Sequence, residues 1–145
     1  MVRPFLIALL LVTPLTAVAA SESVRLYKSP SGGCCSAYVD YLRENGFDVV
    51  VIPMPDMAQI KAEQGVPRPL ASCHTSIIEG YVFEGHIPVR SVHRVLDQRP
   101  TIAGISVPGM LMGSPGIGIE RGLAEPLRVY DLGGVAYATY RRIPR

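Results

Sequence analysis

A proline- and glycine-containing loop runs straight into two adjacent cysteines in the stretch Tyr27-Lys28-Ser29-Pro30-Ser31-Gly32-Gly33-Cys34-Cys35-Ser36-Ala37-Tyr38. Before the loop, apolar residues alternate at Val24 and Leu26; after it they recur at helical spacing, at Cys35, Tyr38, Val39 and Leu42. A change of period from two to between three and four, across a loop of this composition, marks a strand handing over to a helix. The spacing predicts a strand from Val24 to Tyr27 and a helix from about Cys34 to Asn45, stopped by Gly46. Cys35 lies on the apolar stripe of that helix, whereas Cys34 is turned about 100° away and faces the loop mouth. Both cysteines open the helix, where free N–H groups and the macrodipole favour a thiolate.

The rest of the chain supplies partners for this unit. Asp48 to Pro53 is a nearly continuous apolar run, as expected of a buried parallel strand. Asp56, with Gln59 three residues later, starts a second helix that runs to Gly65. Val66 to Leu70 is an extended, proline-rich approach to two strands spanning Ser72 to His86 and joined at Glu79-Gly80. Pro88 opens a third helix, with Val89, Val92 and Leu96 inward, ending near Arg99-Pro100. The order is βαβ, then ββα, which with a helix-opening cysteine after the first strand predicts a thioredoxin-like α/β single domain. Arg128 to Asp131 and Val135 to Arg141 form a C-terminal β-hairpin turning at Gly133-Gly134.

Arg3, the apolar run Phe5 to Val12 and the Ala17-Val18-Ala19 and Val18-Ala19-Ala20 sites give residues 1–20 the form of a signal peptide, cleaved after Ala19 or Ala20. An uncleaved anchor is the alternative, and the run is short for one. Residues 21–145 then form the domain, and its site is expected in a periplasmic or secreted space. Arg3 is the only charged residue in the leader, so cleavage takes the formal charge from +2 to +1. That leaves no basic field to hold nucleic acid or an anionic membrane.

The chain has three cysteines, the third being Cys73, followed directly by His74. In an oxidising compartment cysteines usually pair, and an odd count leaves at least one free to bind something. One reading is a plain disulfide from Cys73 to Cys34 or Cys35. Another is a thiol oxidoreductase, but position 32, where C-x-x-C would put its first cysteine, holds Gly32. A vicinal Cys34–Cys35 disulfide would close a strained ring. The third reading is a soft-metal site. Three thiols suit Cu(I), while zinc asks for a fourth ligand and fits less well. His74 is a candidate ligand, His86 a weaker one, and His93, between Arg90 and Arg94, is read as solvated. Because neighbouring strand residues face opposite ways, His74 is expected to orient a thiolate or bind a second ion, not share the ion of Cys73. Core filling is the plain reading of Met54, Met57, Met110 and Met112 and the better one for Met57; Met110 and Met112, in a Gly/Pro loop, are thioether candidates or a lid. Gly113 to Gly118 lacks the Lys-Ser/Thr of a phosphate loop, and no Ser-His-Asp spacing or catalytic carboxylate pair stands out.

Tyr27-Lys28-Ser29-Pro30 with Cys34-Cys35, Ser72-Cys73-His74-Thr75, Glu79-Gly80-Tyr81, Glu84-Gly85-His86-Ile87-Pro88, and Val107-Pro108-Gly109-Met110 with Gly113-Ser114-Pro115-Gly116 together resemble the periplasmic metal-binding family typified by the copper-resistance protein CopG. The resemblance spans about Val24 to Gly116. It implies a thioredoxin-like fold, a cysteine-ligated copper cluster and a role in copper tolerance, with other periplasmic copper-handling proteins as partners. Of the family's C-x-C-C, the second and third cysteines fall on Cys34 and Cys35 and the first on Gly32. The family's Cys-His falls on Cys73 and His74, and its Gly-His on Gly85 and His86. Ile117 stands where the family has a methionine. The expected activity is therefore Cu(I) binding for sequestration, at a site of one or two ions drawn from Cys34, Cys35, Cys73, His74, His86 and Met110. The alternative is a thiol-disulfide or copper-linked oxidoreductase.

Overall fold

The computed structural model describes residues 21–143, so the expected leader lies outside the described residues. Ser23–Lys28 forms β1 and Gly33–Glu44 forms α1, whose buried residues are Cys35, Tyr38, Val39 and Leu42, the stripe read from the sequence. Gly46 follows in the left-handed region (φ 89°), as a helix stop requires. β2, Asp48–Pro53, runs parallel to β1. α2, Met57–Glu63, is capped by Asp56, whose carboxylate accepts from the N–H groups of Ala58 and Gln59. Gln59 turns to Glu63 instead of back to the cap, so only half of the capping box forms.

β3, His74–Ile78, and β4, Tyr81–Glu84, form a hairpin, with β3 antiparallel to both β1 and β4. α3, Val89–Gln98, buries Ser91, Val92, Val95 and Leu96. β5, Gly104–Ser106, then runs parallel to β4, and β6, Leu127–Asp131, with β7, Ala136–Tyr140, completes the sheet. Among the described residues there is one seven-stranded sheet, in the order β2-β1-β3-β4-β5-β6-β7.

The sheet separates two cores. Ile78 and Phe83 belong to the larger, with Tyr38 and Leu42 of α1 and Val92 and Val95 of α3. Their strand neighbours Ile77 and Val82 belong to the smaller, with Val66 and Leu132. Successive strand residues point to opposite faces, so α1 and α3 cover one face and the α2 segment the other.

Three expectations need correction. β2 is not a strand buried on both sides; it is a sheet edge, with Val49 buried but Val50 51% and Val51 36% exposed. Continuous apolar sequence identifies a parallel strand here, but being last in the sheet leaves half of it uncovered. The C-terminal hairpin is no appendage, because β5 splices it into the main sheet. Only three residues long, β5 has no alternation to read, and its Gly104 is dictated by proximity: a Cβ there would lie 1.9 Å from the Val82 carbonyl oxygen. Finally, the approach to β3 is not extended throughout, since Arg68–Leu70 makes one 3-10 turn.

Candidate metal centre

Gly32 caps α1 with its backbone alone, contributing no side-chain hydrogen bond. The first-turn amides therefore keep their positive field, and the two cysteines sit in it. Cys35 is 2% exposed and Cys34 half-buried, as the helical stripe requires. All three cysteines are free thiols.

Cys73 reaches them from the bend before β3. Its Sγ lies 3.3 Å from Cys35 Sγ, and the ligand atoms of Cys34, Cys35 and Cys73 all fall within 4.8 Å of one another. Cys34 Sγ also touches Met110 Sδ at 3.7 Å. The paired sulfurs share one proton. Hydrogen bonding from Cys73 pulls Cys35 down to about 4, against the opposing effect of burial, and His74 and Cys34 help. Cys73 moves up for the converse reason, first its bond to Cys35 and then burial. The pair therefore favours one thiolate shared across the two sulfurs, with Cys35 held down and Cys73 held up.

The same Cys73 sulfur has two imidazoles beside it. His74 Nδ1 is 3.2 Å away and His86 Nε2 is 2.9 Å away, and these two nitrogens with the sulfur form a second close group. The expectation that Cys73 and His74 face apart is wrong. Cys73 precedes the first residue of β3, so strand alternation does not govern it. His86, the weaker candidate in the sequence, is fully buried and brings the nearer of the two imidazole nitrogens to the sulfur.

The tautomer of His86 follows from its other contact. Nδ1 lies 2.7 Å from the Pro115 carbonyl oxygen, which can only accept, so Nδ1 carries the hydrogen and the Nε2 lone pair points at Cys73. Burial first, and His74 second, hold His86 down to about 4, so it stays neutral. His74 is also fully buried, and its Nε2 has no hydrogen-bond partner among the described residues. Tyr38 packs on both rings, at centroid distances of 4.6 Å to His74 and 5.4 Å to His86, and donates its hydroxyl to the Ile87 carbonyl at 2.9 Å. Soft sulfurs, the His74 Nδ1 beside one of them and a His86 lone pair aimed at the same sulfur make a donor set that fits a soft, low-coordinate ion.

The remaining candidates lie elsewhere. His93 is exposed and stacks on Phe47 at 5.1 Å. Met54, before α2, and Met57, its first residue, are partly buried. Met112 is 45% exposed and lies near Gly118, where an added Cβ would be 3.2 Å from its sulfur. Ile117 is partly buried in the loop that carries Pro115.

Sequence reasoning missed a polar knot on the far side of the sheet. Glu84 is fully buried at the end of β4 and pairs with Lys61 of α2. The Glu84 carboxylate also accepts from the Ser72 N–H and the Thr75 hydroxyl, each at 2.6 Å. A lone acid ending the apolar run Tyr81-Val82-Phe83 was the available signal.

Two solved structures are similar to this chain, both of copper resistance protein CopG. Form 1 is 32% identical with a TM-score of 0.75, covering 83% of this chain and 98% of that one. Form 2 is 31% identical with a TM-score of 0.73, covering 83% and 99%. The family described as "Protein of unknown function, DUF411" matches residues 70–117, the span that holds Cys73, His74, His86 and Met110. No curated protein matches.

Proposed function

This chain belongs to the family of copper resistance protein CopG, and on that premise we propose that it binds copper as Cu(I) in the periplasm, through its cysteine cluster, for sequestration and tolerance. The single observation that carries this reading is the place of Cys73, whose sulfur is shared between a three-cysteine group and a Cys-His-His group. Thiolate bridging is natural for Cu(I), so the arrangement favours two adjacent ions, one in each group, with Cys73 common to both. Met110, at Cys34, is the thioether at the outer ion. Gly32 withholds the sulfur a larger cluster would need. Zinc fits less well, because neither group offers four well-placed ligands.

Export rests on the signal-peptide form of residues 1–20, and a thioredoxin-like lineage on the order and pairing of β1-α1-β2 and β3-β4-α3. Other periplasmic copper-handling proteins are the partners this reading implies. The low pKa of Cys35 beside Cys73 favours a second reading, a thiol-disulfide or copper-linked oxidoreductase. Against it stands burial: at 2% exposure the Cys35 thiolate cannot reach a protein disulfide.

The test takes the processed protein, beginning at Ala20 or Ser21, from the periplasmic fraction. Under anaerobic conditions it competes for Cu(I) with a chelator. Two equivalents are expected, with Cys73→Ser losing both, Cys34→Ser losing one, and each Cys→Ser change costing more affinity than His74→Ala. Absence from that fraction sinks the export half. Tighter binding of zinc, or copper retained by all three Cys→Ser variants, sinks the copper half.

A further inference from the structure

The Glu84–Lys61 pair lies on the face of the sheet opposite the sulfurs, and the site described above does not use it. Three features show what it could do. First, a carboxylate with no exposed surface is costly unless fully bonded, and this one is bonded to Lys61, Ser72 and Thr75. Second, one of those bonds is to the backbone N–H of Ser72, the residue before Cys73. It pins the bend that turns Cys73 away from strand alternation and lets its sulfur meet His74 and His86. Third, Ser72 passes the constraint on. Its hydroxyl donates to the Gly109 carbonyl at 2.6 Å, and Gly109 precedes Met110, whose sulfur touches Cys34.

Glu84 also stands two residues before His86. The carboxylate thus fixes, from behind the sheet, the ends of two strands that bring Cys73 and His86 together, and through Ser72 it fixes the Met110 loop. We propose that Glu84, neutralised by Lys61, is the positioning residue of the metal centre, setting the Cys73–His86 and Cys34–Met110 spacings through the Ser72 backbone and hydroxyl. Its role is hydrogen bonding, not its own charge, since Lys61 cancels that charge within the knot. The inference rests on the copper reading for its consequence in affinity, but not for its consequence in the metal-free protein.

The test therefore has two arms. In the metal-free arm, the three thiols are alkylated and followed separately by mass spectrometry. Glu84→Ala is expected to speed labelling of Cys73 at least about 10-fold at unchanged helix content, and Glu84→Gln, which still accepts from Ser72, to label like the unaltered protein. In the copper arm, Glu84→Ala is expected to lose about 10- to 100-fold in Cu(I) affinity, the range seen when a group that orients ligands is removed. Its copper X-ray absorption should lose nitrogen scattering, and Glu84→Gln should restore it. Should Glu84→Ala not fold, the double variant Lys61→Met/Glu84→Gln, expected to keep the Ser72 bond, and Ser72→Ala, expected to lose only the Met110 sulfur from the copper spectrum, decide the matter.

Unchanged Cys73 labelling in folded Glu84→Ala, or a Glu84→Gln variant as impaired as Glu84→Ala, overturns the positioning role. A double variant that loses the nitrogen signal overturns it too. An unaltered protein that binds no copper while Glu84→Ala still frees Cys73 leaves the positioning role standing and overturns the copper reading.

Discussion

Three protonation states, those of Cys35, His86 and Cys73, decide when the site can bind metal. Cys35 is a thiolate above about pH 4, held there chiefly by the Cys73 hydrogen bond. His86 is neutral above about 4, held there chiefly by burial. Both become ligands by losing a proton, and Cys73, whose thiol is held protonated by its bond to Cys35 and by burial, must give its proton up on binding, so Cu(I) affinity is expected to fall steadily from pH 8 to about 5 and more steeply below about 4. A chelator competition repeated across that range checks it; an added steepening near 6.5 would mean that His86 titrates like a solvated imidazole. The metal-free fold feels the same group. The folded pKa of His86 is below its unfolded value, so its contribution to stability is complete above about pH 6.5. That contribution is lost as the pH falls through about 4, a total of roughly 3 kcal/mol. Denaturant titrations of the metal-free protein at pH 7 and pH 4.5, run beside Cys35→Ser because the Cys35 thiolate also takes up a proton on unfolding, measure this loss.

At the scale of elements, the centre is a meeting of a helix start, a bend before a strand and one loop. The loop is held against α1 at Gly116, whose φ of 78° suits glycine and where a Cβ would lie 2.7 Å from the Tyr38 amide nitrogen. One residue earlier, Pro115 offers its carbonyl to His86. Gly116→Ala should therefore lift the loop off the helix and take the Pro115 acceptor away from His86. The expected result is a stability loss of more than about 1 kcal/mol together with weaker copper binding. Thermal unfolding and chelator competition on the same sample would show it. A loss of stability alone would mean that His86 keeps its orientation without Pro115.

For the whole molecule, the site ties the first half of the chain to the middle of the sheet. Cys35 and Cys73 are 38 residues apart, and their sulfurs lie at 3.3 Å. Oxidised without metal, the protein is expected to form the Cys35–Cys73 disulfide and leave Cys34 as the one free thiol. Closing a loop of that length restricts the unfolded chain by roughly 4 kcal/mol. Urea unfolding with and without reductant should show the gain, and peptide mapping the pairing. A Cys34–Cys35 or Cys34–Cys73 bridge instead would mean that the helix start rearranges on oxidation. Among the described residues no helix is long and apolar enough to cross a membrane.

Much of this was legible in the sequence, for a local reason. Caps, glycine stops and apolar periods act over a few residues, so α1, α2, α3, the β3–β4 hairpin turning at Glu79-Gly80 and the β6–β7 hairpin could be read from neighbours alone. The direction of Cys35 into the core was local too, because a helix fixes the angle between adjacent side chains. What the tertiary structure decided depends on distant segments. Whether β2 is central or at an edge depends on which strands lie beside it, and β5 exists because β4 offers it a partner. Cys73 and His74 face one site because a bend tied to Glu84 interrupts the alternation that sequence spacing assumes. His86 presents a lone pair because a carbonyl 29 residues away takes its hydrogen. Spacing along the chain settles what one backbone segment does. Which sulfur meets which nitrogen is settled only when separate segments are packed against each other.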